Sequence, residues 1–320
     1  MKVLVTGGSG FVGSYIVLEL AKEPDNEVII FDITIPEYDI PNNVQFIEGD
    51  IVYKDSLDRA IKGCDEVYDC AGLLGTHELV EQTERAVDTN IRGAINVLQC
   101  CLDFNIKRVF HPTKPLFASY WENTYTITKI AAENFARMYR KVYGMDITVL
   151  RWMNASGPRQ HIYPIRKFVP LAICLAISGL DIELYGNGNQ TMDIIDVRDI
   201  AKIAIRSVRG GLGKSEKVWD VGTGQPVSCN EIAKYIIKKT SSSSNIVYAP
   251  MRIGEDVNSN IFAKNHVELF ELIDYKLEYE PYKTIDDCID YYSSLSEREI
   301  RKATNYFIVK ELYKNGFTTA

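Results

Sequence analysis

The stretch that decides the fold is Met1-Lys2-Val3-Leu4-Val5-Thr6-Gly7-Gly8-Ser9-Gly10-Phe11-Val12-Gly13. Val3 to Val5 form a short apolar run suited to a buried strand. Apolar residues then recur at helical spacing at Phe11, Val12, Tyr15, Ile16 and Leu20. A strand, a glycine turn and a helix entered from its N-terminus make an anion site from backbone alone, because the first N–H groups of a helix have no partner within it. Gly7 permits the tight turn, Gly10 lets phosphates approach the backbone, and Gly13 lets the helix pack on the strand. Phe11 and Val12 share that first helical turn and belong to the same candidate site.

Outward from this turn, Glu27 to Phe31 make the next buried strand, which ends at Asp32. A carboxylate there can accept both hydroxyls of an adenosine ribose and repels a 2′-phosphate. The following Ile33-Thr34-Ile35-Pro36 brings no arginine, so the expected cofactor is NAD rather than NADP, with Ile33 beside it. Val44 to Ile47 form a third strand, followed by Gly49-Asp50-Ile51, where Asp50 can meet an adenine amino group and Ile51 can cover the ring. Glu66 to Cys70 form a fourth strand, and Ala71 keeps its end small where a flat ligand must lie close to backbone. Val80 to Asn105 read as one long helix in which Asn90 is polar on a buried face, either a satisfied amide or a link to the cofactor. Arg108 to His111 form a fifth strand.

This alternation predicts an α/β fold: a Rossmann-type doubly wound parallel sheet with right-handed crossovers and a smaller mixed α/β C-terminal substrate lobe. The expected boundaries are 1–155 for the dinucleotide-binding domain, with a return segment at about 190–221, and 156–189 plus 222–320 for the lobe.

Bulk properties narrow the function. The 320 residues carry a formal charge of −7 with no long single-sign block, which argues against nucleic acid. Seven scattered cysteines suit reduced thiols in a cytoplasm, and four isolated histidines give no metal site. The apolar run Phe168 to Ile177 is too short to span a bilayer, and no signal peptide precedes the first strand. A soluble cytoplasmic protein without a membrane partner is expected.

The chemistry follows the fifth strand. Thr113 ends it, and Tyr125-Thr126-Ile127-Thr128-Lys129 opens a helix running to about Tyr143. Four residues make one helical turn, so the Tyr125 phenol and the Lys129 ammonium share a face. A positive charge beside a phenol favours its phenolate, which can take the proton of a secondary alcohol while hydride leaves the carbon. Thr113 can hydrogen-bond the same alcohol.

With these motifs in place, the chain resembles the extended short-chain dehydrogenases/reductases of the nucleotide-sugar epimerase/dehydratase family. The likeness runs to about residue 295. It includes the glycine turn, Gly49-Asp50-Ile51, Tyr125-x-x-x-Lys129 and Leu150-Arg151-Trp152-Met153-Asn154-Ala155-Ser156-Gly157-Pro158. It continues through Tyr185-Gly186-x-Gly188-x-Gln190-x-x-Asp193, Val221-Gly222-x-Gly224 and Arg252-x-Gly254-Glu255. The resemblance implies that Gly7, Gly10, Gly13, Asp32, Asp50 and Ile51 bind NAD. It makes Tyr125 the base, Lys129 its tuning and ribose-orienting partner, and Thr113 the hydroxyl group. Trp152 is placed near the nicotinamide, Asn154 near the sugar-phosphate, and Arg252 on the diphosphate of a uridine-linked sugar. The loop Gly157 to Lys167 resembles a substrate-covering segment, so Arg159, His161, Tyr163, Arg166 and Lys167 are either ligand contacts or solvated loop charges; Tyr185 joins the substrate set. The resemblance also implies a homodimer, through Val80 to Asn105 and Thr126 to Tyr143 pairing with their copies.

Three departures shape the expected activity. Thr113 is followed by Lys114-Pro115, where 4,6-dehydratases carry Asp-Glu and uronic acid decarboxylases a glutamate. The stretch from Thr113 to Tyr125 is short, which brings Lys114 toward the sugar as a proton carrier or leaves it paired with a surface acid. Met192 stands where many relatives place a second phosphate-binding arginine, and Arg166 or Lys167 can substitute. The first reading is a 4-epimerase acting on a nucleotide-diphosphate hexose. The alternatives are a dehydratase or keto-sugar epimerase using Lys114 or His161, and a non-catalytic NAD sensor. The serines at 241 to 244 read as a flexible turn or linker, and the polar tail from Arg298 has no assigned role.

Overall fold

A computed structural model describes residues 1–115 and 123–314. In chain order the first half contains β1 (Lys2–Thr6), α1 (Phe11–Leu20), β2 (Glu27–Asp32), β3 (Val44–Glu48), α2 (Lys54–Ile61), β4 (Glu66–Asp69), α3 (Thr83–Val87), α4 (Ala94–Asp103), β5 (Arg108–Thr113), α5 (Thr124–Tyr143) and β6 (Ile147–Trp152). The second half contains β7 (Asn154–Ser156), α6 (Phe168–Ile177), β8 (Ile182–Tyr185), β9 (Thr191–Asp196), α7 (Val197–Arg209), β10 (Trp219–Val221), β11 (Pro226–Ser228), α8 (Cys229–Lys239), β12 (Ile246–Ala249), α9 (His266–Leu272), α10 (Pro281–Ser293) and α11 (Glu297–Lys314).

The large sheet is parallel, in the order β10-β6-β5-β4-β1-β2-β3. Its strands are near-continuous apolar runs because both faces are covered. Alternate side chains go to opposite sides: Val3 and Val5 pack with Ile16, Val17, Ile200 and Ala204 from α1 and α7. Leu4, Ile29 and Phe31 pack with Leu57, Val97 and Ala136 from α2, α4 and α5. The strand order reverses between β1 and β4, and a crevice opens beyond their carboxyl ends, where an open α/β sheet places its ligand.

The smaller lobe has its own core, in which Val169, Ile173, Ile194, Ile232 and Ile285 meet. Two short sheets, β11-β9-β7 and β12-β8, stand beside it. β10 joins the large sheet next to β6, as a return of the chain requires, whereas β9 pairs with β7 outside it. Ser228 caps α8 in a reciprocal box with Glu231.

Local expectations change in three places. The long helix expected over Val80 to Asn105 is α3 and α4 joined by wider π-type turns at Asp88–Gly93. The serines at 241 to 244 are fastened: Ser242 donates to the Ala176 carbonyl at 2.6 Å, and Ser244 is buried. The polar tail contains α11, which lays Ile300, Ala303 and Phe307 on the small lobe's core. Their spacing of three and four residues is helical, and the surrounding charges conceal it. Among the described residues no helix is long and apolar enough to cross a membrane.

Candidate active site

At the cofactor end the turn after β1 is shaped by missing side chains. Gly7 has φ +66°, and a Cβ there would lie 2.7 Å from the Ala71 nitrogen; one on Gly13 would lie 2.2 Å from the Gly7 carbonyl oxygen. Gly10 is the N-cap of α1 and offers no side-chain cap, so the helix's first N–H groups face the crevice. Asp32 accepts from the Ser9 N–H at 3.0 Å and the Thr34 N–H at 3.1 Å, which pins its carboxylate between the turn and the end of β2. Ala71 donates its N–H to Thr6 Oγ1 at 3.2 Å, bringing the end of β4 against the turn. These groups fit a dinucleotide: a side-chain-free cradle for the pyrophosphate and a carboxylate one strand away for the ribose.

The flanking residues are more varied. Phe11 stands edge-on to Tyr15 with ring centroids 5.9 Å apart, Val12 packs on the core below, and Ile33 is exposed beside Asp32. Asp50 accepts from the Val52 N–H at 2.9 Å, and Ile51 is buried against Gly93. Asn90 spends its amide on protein: it accepts from the Leu73 N–H at 2.7 Å and donates to the Leu73 carbonyl and to Thr128 Oγ1. It thereby ties the loop after β4 to α5. Trp152 stacks at 5.5 Å on Phe110, and its indole nitrogen is buried with no hydrogen-bond partner among the described residues.

The reacting groups lie at the neighbouring strand end. Asn123 caps α5 by accepting from the Thr126 N–H at 2.8 Å, which starts the helix carrying Tyr125 and Lys129. Thr113 is buried and donates to the Lys129 carbonyl at 3.4 Å. The expected lowering of the Tyr125 pKa is absent here: burial pushes the phenol up to about 12, with no offset from Lys129. Burial holds Lys129 below the ordinary lysine range, and the charges of Asp69 and Glu133 partly offset that. Asp69, which the sequence reading passed over, is buried and bound by Thr6 Oγ1 at 2.8 Å and His111 Nδ1 at 3.0 Å. Lys114 borders the adjoining cavity and donates to Thr126 Oγ1 at 2.6 Å; its ammonium stands 5.5 Å from the Tyr125 ring centroid.

That cavity, of about 870 Å³, lies between the strand ends and the small lobe. Of the residues expected on the substrate, Lys114, Asn154, Arg166, Tyr185 and Arg252 line it. Arg166 and Arg252 lie 4.7 and 4.8 Å from the Tyr185 ring. Each meets acid: Arg166 pairs with Glu183 at 3.3 Å, and Arg252 binds Glu255 through Nε and Nη2 and stands 3.7 Å from Glu78 through Nη1. Met192 is also in the wall.

The remaining residues of the covering loop have other surroundings. His161 is exposed and outside the cavity lining. Lys167, at the N-cap of α6, is likewise outside it, with burial holding its pKa down. Arg159 lies 4.2 Å over the Tyr15 ring and 5.3 Å from the Tyr38 ring. Tyr163 stacks on Tyr306 of α11 at 5.5 Å. The sequence reading missed Thr76, Asn123, Glu183, Asp220 and Lys264 in the wall, which come from five separate segments. Asn123 was the one with a signal, as an asparagine directly before a helix.

The sequence profile of the NAD dependent epimerase/dehydratase family matches residues 3–222. A putative UDP-glucose 4-epimerase of Methanocaldococcus jannaschii is 28% identical over 277 residues, covering 79% of this chain and 87% of that protein. A dTDP-glucose 4,6-dehydratase of an Actinoplanes species is 26% identical over 284 residues, covering 80% and 87%. Among solved structures, the UDP-N-acetylglucosamine 4-epimerase of Methanobrevibacter ruminantium M1, in complex with UDP-N-acetylmuramic acid, superposes with a TM-score of 0.77. Its identity is 27%, and the match covers 92% of this chain and 98% of that one.

Proposed function

The chain belongs to the NAD dependent epimerase/dehydratase family, and from that premise we propose that it is a 4-epimerase of a uridine-linked nucleotide-diphosphate hexose. The observation that carries this reading is the end of β5. There Thr113 and the Tyr125/Lys129 turn supply what alcohol oxidation and its reversal need, while Lys114-Pro115 stands in place of the carboxylate pair that removes water. The 4-epimerases among the relatives support the same choice.

When bound, NAD supplies the acceptor and donor of the C4 hydride and a ring charge that favours the Tyr125 phenolate. Gly7, Gly10 and Gly13 hold its pyrophosphate, and Asp32 its adenosine ribose. Tyr125 takes the C4 hydroxyl proton and returns it on the other face. Thr113, whose hydroxyl donates to the Lys129 carbonyl at 3.4 Å, turns it to donate to the C4 oxygen and so holds that oxygen toward Tyr125. Arg252 and Arg166 exchange their carboxylate partners for diphosphate oxygens, and Arg166 makes up the charge absent at Met192. The exposed apolar side chains Ile127, Met138, Val142 and Tyr143 of α5 support a homodimer, and the seven unpaired cysteines suit a reducing cytoplasm.

The test is incubation of the NAD-loaded protein with UDP-glucose, UDP-N-acetylglucosamine and UDP-glucuronic acid. The expected product is an isomer of unchanged mass. Loss of water would overturn the epimerase reading, and conversion of none of the three would favour the sensor. A single monomer peak by size would refute the dimer.

A further inference from the structure

One rung of the large sheet breaks its apolar pattern. On the face that α5 covers, Leu4, Val67 and Val109 lie side by side on β1, β4 and β5, and two residues further on come Thr6, Asp69 and His111. Asp69 and His111 are buried and bonded to each other: Asp69 accepts from Thr6 Oγ1 at 2.8 Å and from His111 Nδ1 at 3.0 Å. His111 Nε2 has no hydrogen-bond partner among the described residues, which assigns the ring's hydrogen to Nδ1 and leaves Asp69 bound by two neutral donors. An apolar row would hold the sheet at less cost, since a buried carboxylate gives up its hydration.

We propose that Asp69 is the counter-ion of Lys129: locked between Thr6 and His111, it keeps the Lys129 ammonium charged and thereby lets Tyr125 serve as a phenolate at neutral pH. Asp69 is a positioning residue that acts through Lys129, and it is not part of the cavity wall. This rests on the roles that the Proposed-function reading gives Tyr125 and Lys129.

Elimination singles out Asp69. Three acidic groups act on Lys129: Asp69 on β4, the neighbouring Cys70 thiol, and Glu133 one turn along α5. Burial pushes the Cys70 thiol far up, so it stays neutral. Glu133 is taken by Arg151, which binds its two oxygens at 3.1 and 2.6 Å, so that pair presents little net charge. Cys101 on α4 also faces Asp69, and burial keeps that thiol neutral as well. The Asp69 carboxylate is what remains. Burial lowers the Lys129 pKa and the Asp69 charge raises it, so the carboxylate decides where Lys129 gives up its proton.

The test is the pH profile of C4 isomerisation in NAD-loaded Asp69→Asn, together with the ultraviolet tyrosinate absorbance of Tyr125, read as the difference from Tyr125→Phe. Without the carboxylate, burial acts on Lys129 unopposed and its proton leaves at lower pH. The alkaline limb of kcat is therefore expected to move down by about one pH unit. The tyrosinate signal near neutral pH is expected to fall about tenfold. The sign is diagnostic: loss of an anion that acted on the phenol directly would raise tyrosinate, and a packing role would move neither reading. His111→Phe removes the donor that holds Asp69 as a carboxylate and is expected to give the same two shifts. His111→Asn keeps an N–H donor and should stay within about threefold of wild type. A tyrosinate signal that rises or stays level in Asp69→Asn, or an unmoved alkaline limb, would overturn the proposal. Where neither variant folds the wild type decides: no Tyr125 tyrosinate near neutral pH in the loaded protein would mean that Lys129 has no charge to keep. Isomerisation with both readings unshifted in Asp69→Asn would sink Asp69 and leave the epimerase reading intact. A shifted tyrosinate signal, with no isomerisation of any UDP-sugar, would do the reverse.

Discussion

At the glycine turn, recognition rests on atoms that are absent: Gly7 and Gly13 occupy positions where a Cβ would lie 2.7 and 2.2 Å from backbone. In the cavity it rests on long side chains, Arg166 and Arg252, which lie near one tyrosine ring and hold carboxylates until something replaces them. The first surface is fixed before any ligand arrives. The second is assembled from paired charges that must exchange partners, so ligand affinity there is a difference between two sets of charge-assisted bonds. Tyr125 and Lys129 belong to neither surface: they sit in the first turns of α5, and neither lines the cavity.

The sharpest way to break this picture is at the junction. Tyr125→Phe keeps the ring and removes the proton carrier, and should lower the rate of C4 isomerisation about a thousandfold while NAD stays bound. A loss under about tenfold, by the same measure, would remove Tyr125 from the mechanism. Next in size is Gly13→Ala at the fixed end. The added methyl meets the Gly7 carbonyl oxygen, which belongs to the backbone and cannot swing aside, so a loss of about 3 kcal/mol is expected together with bound NAD. A normal melting temperature with full cofactor would show that the turn adapts, and the contrast with the cavity would fall.

The same contrast explains what was legible. A buried strand, a glycine turn and an acid at Asp32 are local patterns set by backbone geometry, and the parallel sheet follows from repeating them. The Tyr125/Lys129 turn was legible because helical spacing alone puts the two on one face. The cavity was legible only in part. Asn154, Arg166, Tyr185 and Arg252 sit in motifs, but Thr76, Glu183, Asp220 and Lys264 come from separate segments that only the packing of the small lobe brings together. Arg159 and Tyr163 stayed open for a related reason: a cation or an aromatic on a loop can face a ligand or another ring, and here both lie against rings. Asn90 was ambiguous until the π-type turns showed where its amide points.

In the adaptable half the largest effect is expected at Arg252. Arg252→Met removes one side of an ion pair and leaves Glu255 facing the diphosphate, so KM should rise about ten- to a hundredfold with kcat changed little. An equal fall in kcat would mean that the guanidinium acts in the transition state, not only in binding.

Lys114 gives a smaller effect with a pH signature. Its folded-state pKa is depressed by burial to about 7, below that of the unfolded chain. From about 7 up to the ordinary lysine range of about 10.4 the unfolded chain holds a proton that the folded one lacks, so stability rises with pH there. Below about 7 both are protonated and the full penalty of the buried charge remains. Lys114→Met lacks that penalty and should therefore be about 1 kcal/mol more stable at low pH, an advantage that shrinks as pH rises. Melting temperatures measured across that window decide it; an advantage that grows with pH would mean the ammonium is stabilised in the fold.

The smallest effect expected is at His161, and it tests the loop rather than the residue. The side chain is exposed and stands outside the cavity wall, so His161→Ala should change kcat/KM less than about twofold and stability by less than about 0.5 kcal/mol. A tenfold loss in kcat/KM would require residues 157–167 to fold over the bound sugar from their present place against Tyr15 and Tyr306. The adaptable half of the molecule would then include its backbone as well as its arginines. Arg166 would have to move with that loop, so the loss should be accompanied by a raised KM in Arg166→Met. If His161→Ala and Arg166→Met failed to share that signature, the histidine's effect would have to arise from somewhere other than loop closure.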